Sequence, residues 1–412
     1  MMKFIVALVA AQRVLTTYAT TIQAQHQEPL VEHAATSQEY NSTWKFRWHR
    51  GMLTGFPDNL AAEANFTGSM NSFMVNNNIT QAQLSIAQNG KQLANYGFNW
   101  NDPSTPDVGP YDHFLLASVS KIYCVAALRE LMKRHQVTPD TKVYERLGYS
   151  SGSAKDARVF NITVANLLDH LGGDDSWHLG SDPAYTMREI ALAMSGGAHP
   201  ATEREIIEWK LKRPLDFDPG NKAYCEEKYN QDFCYSNYGF ILLSYLVANI
   251  TGSPDYYTWL NANILKPQAL DVTRWVTDPS AHAKDIVQQI DSGYGPSALN
   301  PLDQDPVPWI YGGDDMYKDS DMGGAALATS AGMLTKSLAS CPAWGWQATR
   351  SPGYYRTGST PGAFTYVTQR WDGLDVAMVF NTRKYNTDDV HGVLYAQIDG
   401  YLNSNRPSMV GM

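Results

Sequence analysis

The stretch Ala117-Ser118-Val119-Ser120-Lys121, running into Ile122-Tyr123-Cys124-Val125-Ala126-Ala127-Leu128, decides how the rest of the chain is read. If a helix begins at Ser118, the spacing puts Ser118 and Lys121 on one face, about one turn apart. A serine hydroxyl is a poor nucleophile until a neighbouring base takes its proton. A lysine can be that base where burial suppresses its charge, and the apolar run behind it supplies the burial. The run is apolar on every face, so it reads as a helix through a core. The positive end of its dipole at Ser118 favours negative charge forming there. The tetrapeptide S-x-x-K recurs by chance in many chains, so its meaning depends on what lies around it.

Working outward, strand and helix signals fall in a definite order. A mildly amphipathic stretch from Asn59 to Asn77 reads as a helix. Gln81 to Gln88 and Gln92 to Asn99 alternate like strands, and Asn89-Gly90 between them is a hairpin signal. Lys133-Arg134-His135 suits the C-terminus of the Ser118 helix. From Ile162 to about Leu270 the pattern is mostly helical. It includes Val164 to His170 followed by Gly172-Gly173, and the apolar run Tyr238 to Ile250 with Gly252 as C-cap. Ser280 to Tyr317 is rich in Asp, Pro and Gly and reads as loop, after which Met322-Gly323-Gly324 leads into a short helix. Gly353 to Thr357, Phe364 to Arg370 and Leu374 to Phe380 read as strands, the last two joined at Asp372-Gly373, and Val390 to Leu402 as a closing helix.

Strands near both ends and helices in the middle predict an α+β architecture. One antiparallel sheet is built from N- and C-terminal segments and flanked by helices, with a helical lobe inserted between. The expected boundaries are an α/β lobe at about 25–140 and 310–412 and a helical lobe at about 141–309, with the site between the lobes.

Composition narrows the function. Of 412 residues, 43% are hydrophobic, enough for a sizeable core, and the net charge of −9 without a basic block excludes nucleic acid as a partner. Lys3 and the apolar Phe4 to Ala11 read as a secretory signal, cleaved at Ala19 or Ala24, although Arg13 comes early for one. No apolar run is long enough to span a bilayer. Five N-x-S/T sequons, at Asn41, Asn65, Asn78, Asn161 and Asn249, then predict a secreted glycoprotein. Of four cysteines, Cys225 and Cys234 bracket a short polar loop and can close it in an oxidising compartment; Cys124 reads as a buried thiol. The ten histidines show no metal-ligand spacing such as H-E-x-x-H, so no metal or other cofactor is implied. Gly148-Tyr149-Ser150-Ser151-Gly152 matches G-x-S-x-G, but its flanks are polar, and it reads as a surface turn rather than a nucleophile elbow.

Three short motifs stand in order: Ser118-x-x-Lys121, Tyr235-Ser236-Asn237, and Arg356-Thr357-Gly358-Ser359-Thr360-Pro361-Gly362. In this order they resemble the serine β-lactamase and penicillin-binding protein superfamily, whose signature is S-x-x-K, S-D-N and K-T-G. The tyrosine opening the second motif points to the branch of class C β-lactamases, DD-peptidases and esterases. The resemblance runs from about Ala82 to the C-terminus. It takes in Leu167-Leu168-Asp169-His170-Leu171-Gly172-Gly173, Pro219-Gly220 and Gly323-Gly324.

The resemblance implies roles. Ser118 is the acylated nucleophile, and Lys121 and Tyr235 share the proton transfers, a tyrosine beside cations being able to act as phenolate. Asn237 bonds Lys121 or the substrate amide. The backbone N–H groups of Ser118 and Ser359 form an oxyanion hole, and Gly358 lets its strand approach the substrate. Two positions depart from the pattern. Arg356 stands where relatives carry Lys or His; it is expected either to face the cleft and orient an anionic substrate or the Tyr235 phenolate, or to form a salt bridge at the sheet edge. His170-Leu171-Gly172-Gly173 lacks the serine often found there, and His170 reads as structural. The leading function is thus a secreted serine hydrolase acting on a small acyl substrate, an ester, amide or lactam. The alternatives are an acyltransferase of secondary metabolism and a catalytically inactive binding protein of the same fold.

Overall fold

The computed structural model describes residues 44–178, 182–283, 286–290, 293–347 and 350–408. The signal segment and the Asn41 sequon lie outside the described residues.

Six antiparallel strands form the main sheet: β1 (Lys45–Leu53), β2 (Gln81–Gln88), β3 (Lys91–Asn101), β4 (Tyr355–Thr360), β5 (Ala363–Gln369) and β6 (Leu374–Phe380). They run in the order β1-β3-β2-β6-β5-β4, so the join between β2 and β6 stitches the two ends of the chain together, as expected. Asn89 and Gly90 both take positive φ, 51° and 78°, the form a two-residue hairpin requires. Pro361 and Gly362, the latter at φ 76°, turn β4 into β5, a pairing that suits a type II turn.

The two faces of the sheet are buried against different partners. Ala82, Leu84, Ile86, Val376, Met378 and Phe380 face α1 (Asn59–Asn76), whose Phe66, Met70, Phe73 and Met74 recur at helical spacing, and the C-terminal residues Leu394, Ile398 and Leu402. Asp58 caps α1 by accepting the Leu60 and Ala61 N–H groups. The alternate residues, including Ala377 and Val379, join a second core with α2 (Lys121–Lys133) and the later helices. Central strands covered on both faces carry apolar residues at successive positions, as Val376 to Phe380 of β6 do.

Within that second core, α3 (Val164–Leu168) and α4 (Tyr238–Thr251) pack beside α2, and Gly252 ends α4 in the left-handed conformation. A small sheet of Phe114–Leu115, Leu327–Thr329 and Val272–Arg274 sits where these helices meet the main sheet. No helix among the described residues is long and apolar enough to cross a membrane.

Several boundaries differ from the sequence reading. β1, a largely exposed edge strand, was not expected, although Phe46 and Trp48 alternate in it with Lys45, Arg47 and His49. The closing helix opens with a wider π turn at Val390–Tyr395 before its α-helical part. The short helix expected after Gly324, α5 (Ala331–Ser337), is preceded by the strand Leu327–Thr329. Cys225 and Cys234 form a disulfide, while Cys124 and Cys341 are free and buried. Ser150 of the G-x-S-x-G match lies exposed on a turn with no strand before it.

Candidate active site

The setting of Ser118 comes from a strained turn. The helix does not begin at Ser118. Ala117–Ser120 make a 3₁₀ turn, and α2 starts at Lys121. Ala117, a non-glycine residue, is held at φ 47°. Such a conformation costs on the order of 1 kcal/mol or more and persists only where surroundings over-determine it. They do so here: Leu116 N–H donates to Leu327 O at 2.9 Å, and Leu327 N–H donates to Ser120 Oγ at 3.1 Å. The turn is thereby pinned to the small sheet, with Ser118 half-buried at its tip.

Three expected residues converge on Ser118 Oγ. Lys121 Nζ donates to it at 3.1 Å, and Tyr235 Oη lies 2.6 Å away. Lys121 is fully buried, and its ammonium meets two more acceptors, Asn237 Oδ1 at 2.9 Å and Gly324 O at 3.0 Å, one for each of its three donor positions. It also lies 5.0 Å from the centre of the Tyr235 ring. Asn237 is presented at the start of α4, where Asp182 accepts its N–H at 2.7 Å and that of Tyr238 at 3.2 Å. A carboxylate there satisfies the orphan donors of the helix end and its dipole together.

The third motif lies on β4, the edge strand of the sheet. Thr360 and Ala363 close the hairpin, so the alternation of an antiparallel pair turns the Ser359 N–H away from β5 and toward the open edge. Ser359 is exposed, and Gly358 is pressed against the Ser118 turn.

Of the settings expected for Arg356, the structure fits only the one beside Tyr235. It is 4% exposed, its Nε donates to Ala343 O at 3.0 Å, and its guanidinium lies 4.6 Å from the centre of the Trp344 ring. It forms no ion pair among the described residues, and its Nη1 has no hydrogen-bond partner. The salt-bridge reading therefore fails. The substrate-clamp reading meets a head group shut beneath Trp344. Burial pulls the Arg356 pKa down, opposed by the charge of Tyr235, which places Arg356 as a second cation near the tyrosine.

Three features of the site were missed, and a fourth residue lies closer to it than expected. Tyr185, 43% exposed, accepts Asn237 Nδ2–H on its hydroxyl at 2.9 Å. Gly324 contributes a backbone carbonyl, which no side-chain pattern announces. Asp321 is fully buried; burial pushes its carboxyl up to about 7 against the pull of Lys121. His170, read as structural, stacks on Tyr235 with ring centres 4.6 Å apart. His178, by contrast, is exposed and reaches Asp216.

Known proteins share this arrangement of elements. A family model described as beta-lactamase matches residues 62–397. A curated protein of Escherichia coli (strain K12) named "Putative D-alanyl-D-alanine carboxypeptidase" is 27% identical over 168 residues, 40% of this chain and 33% of that protein. The match thus spans about a third of the relative's length. Among solved structures, the D-amino acid amidase from Ochrobactrum anthropi SV3 is similar with a TM-score of 0.58 at 14% identity, covering 84% of this chain and 99% of that one. EstCE1, described as a hydrolase with promiscuous acyltransferase activity, is similar with a TM-score of 0.57 at 16% identity, covering 83% and 98%. At these identities the solved structures speak for the fold, and the family model, which spans most of the sequence, makes this chain a member of the beta-lactamase family.

Proposed function

We propose that this chain is a serine hydrolase that forms an acyl-enzyme on Ser118. The observation that carries the reading is the pair of contacts on Ser118 Oγ, Tyr235 Oη at 2.6 Å and Lys121 Nζ at 3.1 Å. With Tyr235 as phenolate, Oγ gives it the hydroxyl proton while bonding the acyl carbon of an ester, amide or lactam. The carbonyl oxygen becomes an oxyanion held by the N–H groups of Ser118 and Ser359. Lys121 and Arg356 balance the tyrosine's charge. The tetrahedral intermediate collapses as the leaving group departs with the proton from Tyr235. Water then attacks the acyl-serine, Tyr235 again taking a proton, and Ser118 is restored with release of the acid. An acceptor alcohol or amine in place of water turns the same intermediate to acyl transfer, and the likeness to EstCE1 keeps that branch in the test.

Labelling with a fluorophosphonate, followed by mass spectrometry, tests the reading. An adduct on Ser118 that disappears in Ser118→Ala is the expected result; unlabelled protein, or an adduct on another serine such as Ser150, overturns it. Turnover of ester, D-amino-acid amide and lactam panels with and without an acceptor then assigns substrate class and hydrolysis or transfer.

The reading extends to a secretory pathway, supported by the Lys3 to Ala11 segment, the Cys225–Cys234 disulfide and exposed sequon asparagines at Asn78, Asn161 and Asn249. Asn65 is half-buried, with its side-chain oxygen enclosed, so it is the poorer acceptor. Protein made in a eukaryotic secretory host should lose mass on peptide-N-glycosidase treatment, with deamidation at the exposed positions. Unmodified asparagine at all of them contradicts the assignment.

A further inference from the structure

We propose that His170 is the positioning residue for Tyr235, gripping the backbone on either side of it and backing its ring. The proposal rests on the reading of Tyr235 as the proton acceptor for Ser118.

The grip has three parts. His170 O accepts the Cys234 N–H at 3.2 Å, on one side of Tyr235. On the other side, His170 Nδ1 lies 3.2 Å from both the N and the O of Ser236. In either neutral tautomer Nδ1 therefore keeps a bond to the Ser236 backbone, accepting from its N–H or donating to its carbonyl. Between these two anchors the imidazole lies against the Tyr235 ring, 4.6 Å between centres and 25° from parallel. Such offset stacking fixes a ring's plane as well as burying its surface.

His170 is itself held in place. Its backbone sits at φ 55°, left-handed for a non-glycine residue, just beyond the end of α3. Its ring is enclosed by Phe240 at 5.1 Å, Trp344 at 6.0 Å and Phe233 at 6.1 Å. Burial, then the nearby Arg356 and Lys121, hold its pKa well below the usual histidine value. An imidazolium here would stand as a third cation beside those two. The ring thus serves as a neutral plate, its Nδ1 engaged by the Ser236 backbone.

The position matters because Tyr235 Oη must meet Ser118 Oγ at hydrogen-bond distance. A misplacement of about 1 Å can cost roughly 10²-fold in rate. Two variants separate the two halves of the grip. His170→Phe keeps a ring against Tyr235 and loses the bond to Ser236. His170→Asn keeps a short polar group that can bond the Ser236 backbone and loses the plate.

The experiment measures the acylation rate constant in single turnover with an activated ester, counted per titrated active site. Each variant is made in the parent and in Tyr235→Phe. In the parent, each should slow acylation by about 10- to 100-fold at a KM within about twofold of the parent's. In Tyr235→Phe, the same changes should cost little more, because the ring they position has already lost its hydroxyl. Equal losses in both backgrounds would show that His170 acts independently of Tyr235 and overturn the proposal. So would parental rates in the single variants, or loss of folded protein by circular dichroism in both, which would make the residue one that maintains the fold. A Tyr235→Phe protein that itself acylates at the parental rate refutes the proton-acceptor reading instead, a separate result.

Discussion

Gly358 lies so close to Leu116 that a β-carbon built on it would stand 2.1 Å from the Leu116 carbonyl oxygen and 2.9 Å from the Ser118 nitrogen. Both contacts are to backbone, which cannot swing aside as a side chain can. A strand with any other residue at this position must draw back from the turn that carries Ser118.

Gly358→Ala should therefore separate the Ser359 N–H from the Ser118 N–H. Loss of one oxyanion donor costs about 10²–10³ in rate. Single-turnover acylation should fall by that order while fluorophosphonate still modifies Ser118 slowly. Wild-type acylation would mean that β4 contributes no donor.

Lys121→Ala and Tyr235→Phe should each slow acylation by roughly 10²- to 10⁴-fold. Both side chains touch Ser118 Oγ, and the proposed mechanism uses Tyr235 as its proton acceptor and Lys121 as the neighbouring charge. Stopped-flow acylation of each variant checks this, and near-wild-type rates in both would remove them from the chemistry.

Arg356→Ala should lower acylation of neutral esters and of carboxylate-bearing esters by the same factor, because the buried guanidinium acts through Tyr235 rather than on the substrate. Arg356→Lys should recover only part, since an ammonium cannot both stack on Trp344 and bond the Ala343 carbonyl with a planar fork. A loss confined to carboxylate-bearing esters, read as kcat/KM, would restore the clamp reading.

Asp321 makes stability depend on pH. Its carboxyl is held up to about 7 in the folded chain against a reference of 3.8. The folded state thus binds more protons than the unfolded chain between those values. Its contribution is fully present below about pH 4 and is lost as pH rises through 7. In Asp321→Asn that loss is absent. The thermal midpoint of the variant, relative to wild type, should therefore move upward as the pH is raised from about 4 to 8. A difference that stays constant across this range contradicts the argument.

Much of the fold was legible because its signals are local. Asn89-Gly90 and Asp372-Gly373 are turn chemistry, and Tyr238 to Ile250 is apolar through three turns of helix. The site was legible as three motifs, of which the first two bring together the side chains of Ser118, Lys121, Tyr235 and Asn237. What stayed hidden depends on tertiary placement. The depth of Arg356 follows from Trp344, which arrives in a segment with no periodicity of its own. The Gly324 carbonyl and the Asp182 cap belong to loops, and the grip of His170 on Tyr235 links residues far apart in the chain. The helix start was read three residues early because the pattern of apolar residues does not register the left-handed Ala117.

The seam between β2 and β6 has a bearing on synthesis. Ala82 pairs with Phe380 and Gln88 with Leu374, so the hydrogen-bonding edge of β2 waits for almost the whole remaining chain to emerge. Until then a nascent chain exposes an unpaired apolar strand edge, an invitation to pair with a neighbouring molecule. It also carries Ser118 and Lys121 while β4, which brings Ser359, has no β6 through which to join the sheet. The surroundings of Ser118 therefore stay incomplete on the ribosome, and translation that stops short of Leu374 yields a product prone to aggregate.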